Sequence, residues 1–120
     1  MKKIKWQAKA EAHDFPAADS YLSIIYPEAE VKKLVTALKK AKVVKYKAKD
    51  IFRASSLSLL GLSNSHVKMD RAKIKKGTPL SPILLVRDPA NGRVVIADGY
   101  HRLCAVYSFA EDAVIPCQIV

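Results

Sequence analysis

The run Asp98-Gly99-Tyr100-His101-Arg102 gathers a carboxylate, a glycine, an imidazole and a guanidinium within five residues, a set suited to holding a phosphate group. Before it, Val94 to Ala97 is continuously apolar. After it, Leu103, Val106, Tyr107 and Ala110 recur at helical spacing. The run therefore sits where a buried strand turns into a helix. The first turn of such a helix presents backbone N–H groups with no intrahelical partner and the positive end of the helix dipole, and both favour an anion. Gly99 lets a ligand approach the backbone, the Arg102 fork matches phosphate oxygens, and His101 adds a donor. Asp98 has two readings: a cap on the same N–H groups, or a ligand to Mg2+ bridging to a nucleotide phosphate. Asp98 and His101 are the candidates for catalytic work, and Gly99, Tyr100, His101 and Arg102 for phosphate contact.

The elements that must position this turn are most legible in the last forty residues. Ile83 to Val86 reads as a short buried strand, Asp88 to Gly92 as a turn and Arg93 to Ala97 as the returning strand of a hairpin. The helix from Tyr100 to Ala110 comes next, and Val114 to Ile119 closes as a strand. Earlier in the chain the pattern predicts a helix from Ala17 to Ile25. A second begins with Pro27 at its first position, with Val31, Leu34, Val35 and Leu38 as its apolar stripe. From Val44 to Asp50 the alternation of Val44, Tyr46 and Ala48 with Lys45, Lys47 and Lys49 predicts a half-exposed strand whose lysines share a face. Asp50 is placed as the cap of a short helix through Ala54. Asn64 is placed as the cap of a helix ending at Lys76, with Gly77 at its exit. Helices first and then β-β-α-β predicts an α+β domain with a small mixed sheet and packed helices.

Composition supports one folded domain over residues 1–120: half the residues are apolar and Gly plus Pro number only ten. The longest apolar runs fall far short of the roughly 20 residues a membrane span needs, so no membrane partner is expected. Met1-Lys2-Lys3-Ile4-Lys5 resembles the start of a signal peptide, but Lys9, Glu11 and Asp14 interrupt the apolar stretch that a signal peptide needs next. A cytoplasmic location with Cys104 and Cys117 as reduced thiols is the expectation. Net charge is +10, and eight lysines with no acidic residue lie between Lys32 and Lys49. That excess could attract a polyanion, with Lys42, Lys45, Lys47 and Lys49 as a nucleic-acid-binding face, or simply keep the chain soluble.

The arrangement Leu80-Ser81-Pro82-Ile83-Leu84-Leu85-Val86, then a hairpin, then Ile96-Ala97-Asp98-Gly99-Tyr100-His101-Arg102-Leu103, then Ile115-Pro116-Cys117, resembles the ParB/sulfiredoxin superfamily. The resemblance covers roughly residues 64–120. It implies a shared core over 51–120 preceded by a helical, lysine-rich extension over 1–50. It further implies that Gly99, His101 and Arg102 hold nucleotide phosphates, with ATP or CTP as the cofactor and Mg2+ accompanying it. Arg53-Ala54-Ser55, Asn64 and His66 together with the Asp-Gly-Tyr-His-Arg turn resemble a group of small bacterial proteins of that superfamily. Arg53, Ser55, Asn64 and His66 fall in polar breaks where loops of this fold approach the nucleotide, and Lys73 on the next helix is a further phosphate candidate. His66 is read as a proton carrier, a phosphate ligand or a plain surface group.

The departures bear equally on function. Sulfiredoxins carry a catalytic cysteine immediately before the His-Arg pair, and Tyr100 stands there, which argues against sulfinic-acid repair. The helix-turn-helix reader and dimer module into which ParB proteins continue have no counterpart in these residues. The expectation is a nucleotide- or phosphate-binding domain, with NTPase or phosphotransferase activity as the associated chemistry. A nucleic-acid-binding or nuclease-like module using the lysine face is the alternative. The partner is a nucleotide or phosphorylated small molecule, and oligomeric state is not readable.

Overall fold

A computed structural model describes residues 3–61 and 63–120. The order is α1 (Asp14–Ile25), α2 (Glu28–Lys40), β1 (Val43–Lys47), α3 (Ala48–Ser55), α4 (Ser65–Lys76), β2 (Ile83–Asp88), a single 3-10 turn (Pro89–Asn91), β3 (Arg93–Asp98), α5 (Tyr100–Phe109) and β4 (Val114–Ile119). The strands form one mixed sheet in the order β1-β4-β2-β3, with β2 parallel to β4 and the other neighbours antiparallel. This is the α+β domain that the pattern predicts.

Both faces of the sheet are covered, which is why its central strands are continuously apolar instead of alternating. Ile83, Leu85, Val94, Ile96, Ile115 and Cys117 point to one side, where α3, α4 and α5 supply Ile51, Val67, Ile74 and Leu103. Leu84, Val86, Val95 and Ala97 point to the other side, against Phe15, Ala18 and Leu22 of α1 and Val31, Val35 and Leu38 of α2. The first fifty residues thus contribute an edge strand and an entire layer. Ahead of α1, Trp6 bridges to Leu80, through hydrogen bonds from Gln7 N–H to the Leu80 carbonyl (2.8 Å) and from Leu80 N–H to the Lys5 carbonyl (2.9 Å).

Four boundaries differ from expectation. The first helix starts at Asp14, because Pro16 falls within its first turn, where a missing N–H costs nothing. Pro27 is the residue before α2 in extended conformation, not its first helical residue. β1 stops at Lys47, and Ala48, fully buried, opens α3. Consequently Asp50 lies in the first turn of α3 and is not its cap, and Lys49 leaves the strand that was to display it. The Asn64 cap stands: its side-chain oxygen accepts from the N–H of His66 (3.0 Å) and Val67 (3.2 Å), and Gly77 (φ +76°) closes the helix.

One buried side chain ties the second layer to the sheet. Gln118 is 2% exposed. Its amide donates to the carbonyl of Leu38 (2.9 Å) at the end of α2, and its oxygen accepts from the N–H of Ala10 (2.8 Å). Leucine at this position would leave the Ala10 N–H without its partner and the Leu38 carbonyl with only the Ala41 N–H (3.2 Å). Gln118→Leu is therefore expected to cost about 2–3 kcal/mol in urea unfolding, and a change below about 0.5 kcal/mol would remove this bridge from the account.

Candidate functional site

β3 ends at Asp98 and α5 begins at Tyr100, so Gly99 alone makes the corner. Its φ of +109° lies where side chains are strained, and a Cβ there would stand 2.8 Å from Cγ1 of Ile83 and 2.9 Å from a terminal nitrogen of Arg102. Glycine is thus required by conformation and by space. It occupies the cap position with no side chain to offer, and the first intrahelical bond is from Leu103 N–H to the Gly99 carbonyl (2.9 Å). The N–H groups of Tyr100, His101 and Arg102 therefore precede the helical ladder.

Asp98 does not cap these groups. One of its oxygens accepts from Arg102 at 2.9 Å, a pairing natural to residues four apart, and the cap position belongs to Gly99. The same guanidinium nitrogen donates to the Pro82 carbonyl (3.3 Å) and lies 3.9 Å from a carboxylate oxygen of Asp14, while Nε of Arg102 is buried with no hydrogen-bond partner. Asp14 is 3% exposed; it also accepts from the Ser81 hydroxyl and from Glu11 N–H (3.2 Å). Arg102 is accordingly clamped from three directions. Burial, with help from Asp14, raises the pKa of Asp98 against the opposing pull of Arg102. Mg2+ arriving with a nucleotide would have to compete with that guanidinium for Asp98. No group of three or more His, Cys, Asp or Glu side chains is placed to hold a metal among the described residues.

The outward side of the corner is formed by two helices. α4 and α5 pack side by side, with the His66 and His101 rings 4.7 Å apart near their starts. Further along, the Arg71 guanidinium lies 4.0 Å from the Phe109 ring centre. The helices thus run in the same sense, and their positive ends meet. Asp70, one turn along α4, has its pKa raised by burial and lowered by four surrounding basic groups: Lys73, Arg102, His101 and His66. Lys73 stands 4.0 Å from it. The Tyr100 ring lies 5.8 Å from that of His101, and its hydroxyl donates to the Ser58 carbonyl, pinning the preceding loop over α5.

The fold therefore brings together His66, Lys73, Tyr100, His101 and Arg102 from the sequence-predicted set, with Asn64 shaping the turn that carries His66. Ser55 is turned inward: its hydroxyl donates to the Phe52 carbonyl (3.0 Å) and accepts from Leu57 N–H, closing α3. Arg53 is exposed on the last turn of α3. Lys42, Lys45 and Lys47 are exposed on and beside β1, whereas Lys49 is engaged at 2.7 Å by Asp112. Cys104 is fully buried and burial raises its pKa; burial also pushes the Cys117 thiol up to about 12. Neither is a nucleophile. Sequence reasoning missed Asp14 and Ser81; the helix-opening position of Asp14 was the available signal for the first.

What defines the molecule is thus a mixed α+β domain with a clamped arginine and two converging helix starts. No family model, no curated protein and no solved structure matches the chain.

Burial, then His66 and Arg102, lowers the His101 pKa below the usual 6.5, and Asp70 opposes the shift. His101 is therefore neutral at pH 7. Because the folded value lies below the unfolded one, the stability tied to neutral His101 is present above about pH 6.5 and declines as pH falls toward the folded value. In an NMR titration its ring should show a midpoint below 6.5, moving lower in Asp70→Asn and back upward in His66→Gln. A midpoint above the usual value would contradict this electrostatic account. Gly99→Ala should destabilise the fold by about 1–3 kcal/mol in thermal or urea unfolding.

Proposed function

We propose that the chain is a nucleotide- or phosphate-binding domain of the ParB/sulfiredoxin-like kind, with the phosphate held at the start of α5. The observation that carries this reading is the meeting of two helix starts at the His66–His101 pair, 4.7 Å apart, with Lys73 and Arg102 around them. Backbone N–H groups of Tyr100, His101 and Arg102 supply fixed donors, and the imidazoles supply adjustable ones. Arg102 contributes its charge while its position is set by Asp98, Asp14 and the Pro82 carbonyl.

For an NTPase or phosphotransferase the remaining requirement is a group that accepts a proton from water or an acceptor hydroxyl. Asp98 is occupied by Arg102. His101, neutral at pH 7 and at the helix start, is the better placed of the two catalytic candidates.

Isothermal titration calorimetry with ATP, CTP and GTP, with and without Mg2+, tests the binding. Arg102→Ala is a poor probe, since it also removes the part-buried links to Asp98, Asp14 and the Pro82 carbonyl that hold the corner. The double variant His66→Ala/His101→Ala alters groups outside the clamp and should weaken binding by about tenfold or more, equivalent to about 1.4 kcal/mol, with the unfolding midpoint retained. Failure of every nucleotide to bind the wild type, or undiminished binding by the double variant, refutes the assignment.

A further inference from the structure

At the far end of α5 a groove of about 1040 Å3 runs between the segment Lys3 to Ala8 and the β1–β4 side of the sheet. We propose that this groove binds single-stranded nucleic acid, with lysines on the phosphates and Trp6 as the platform for a base. It is separate from the α5 start: its lining reaches Ala110 and Ala113, beyond the C-terminal end of that helix.

Charge is the first support. Lys3, Lys5 and Lys45 line the groove, and among the described residues no Asp or Glu does. Cross-strand register puts Lys45 opposite Pro116 and Lys47 opposite Val114, so Lys47 continues the same side of the sheet toward the groove's rim. The face is thus a shorter and differently composed one than the lysine alternation suggested. Lys49 is withdrawn to Asp112, and Lys3 and Lys5 are added from the chain's start.

The second support is Trp6, the only tryptophan in the chain. Trp6 lines the groove and also packs against the core, and its backbone is fixed by the flanking bonds of Lys5 and Gln7 to Leu80. A ring held in this way presents a stacking surface at little entropic cost. Val114, 49% exposed, and Pro116 extend the apolar floor beside it. Lysines around an aromatic and apolar floor are the elements that bind single strands without sequence preference, since every base has a face to stack. A duplex offers no free base face, and a run of acidic residues alone offers no ring to match Trp6. The volume lies at the upper limit of small-molecule clefts, about 1,000 Å3, and suits a stretch of polymer.

Trp6 is its own probe. Titrating oligo-dT into the full chain should quench Trp6 emission saturably, and the apparent affinity should fall steeply with salt. Lys3→Glu/Lys45→Glu changes exposed side chains and should weaken binding by at least tenfold while lowering the magnitude of the salt slope by about 1.4, the share of two phosphate contacts to a single strand. An abasic deoxyribose-phosphate oligomer should bind more weakly and leave the emission unchanged. His66→Ala/His101→Ala should bind oligo-dT as the wild type does, which separates this site from the one at the start of α5. The proposal is overturned by oligo-dT binding that leaves Trp6 emission unchanged, by affinity indifferent to the Lys3/Lys45 reversal, by dependence on His66 and His101, or by equal binding of polyglutamate or duplex DNA.

Discussion

The guanidinium of Arg102 joins three parts of this molecule at the end of the sheet. It draws α5 onto the end of β3 through Asp98, onto the entry to β2 through the Pro82 carbonyl, and toward α1 through Asp14. Asp14 and Ser81 extend the link to the chain before α1. The clamp therefore crosses the sheet's end and connects the two helical layers. An ion pair so enclosed adds little net stability relative to an apolar replacement, because desolvation offsets much of the attraction. Its contribution is positional: with one cation shared by two carboxylates, the corner at Gly99 has one arrangement that satisfies all three.

That corner also explains the glycine. A side chain at residue 99 would occupy the space between Ile83 and the Arg102 guanidinium, so the close approach of arginine to the strand ends and the absence of a Cβ are one constraint. The positive φ at Gly99 then turns the chain from β3 into α5. What remains for a ligand is set by this geometry before any side chain makes contact.

Local pattern carried the sheet and the helices because each central strand is covered on both faces, and continuous apolar runs such as Ile83 to Val86 arise from that burial. It failed at Ala48, whose small side chain fits strand alternation and a helix opening equally well: its N–H still bonds the Ala113 carbonyl in line with the β1–β4 ladder while its residue already opens α3. The corner at Asp98 to Arg102 was legible as a strand-to-helix turn from spacing alone. The roles inside it were not, since the partner that takes Asp98 out of the capping position sits on the same helix, and Asp14 arrives from the start of α1. Gln118 shows the same limit: a polar residue in an apolar strand has meaning only once the end of α2 lies beside it.

Consecutive helical residues point about 100° apart, and here that step separates two functions. Arg102 turns inward to carboxylates and a carbonyl, and His101 turns toward His66 on the neighbouring helix. The inward cation is fixed in place through one nitrogen, so beyond its charge the outward surface depends on helix dipoles and on the two imidazoles. Burial and the mutual repulsion of His101, His66 and Arg102 keep His101 neutral at pH 7, while Asp70 limits how far that effect goes. An anion placed there relieves the same repulsion and raises the imidazole's affinity for a proton, so anion and proton uptake favour each other at this corner. Lysines distributed over the surface make no such coupling, because each keeps its charge whether or not an anion is present.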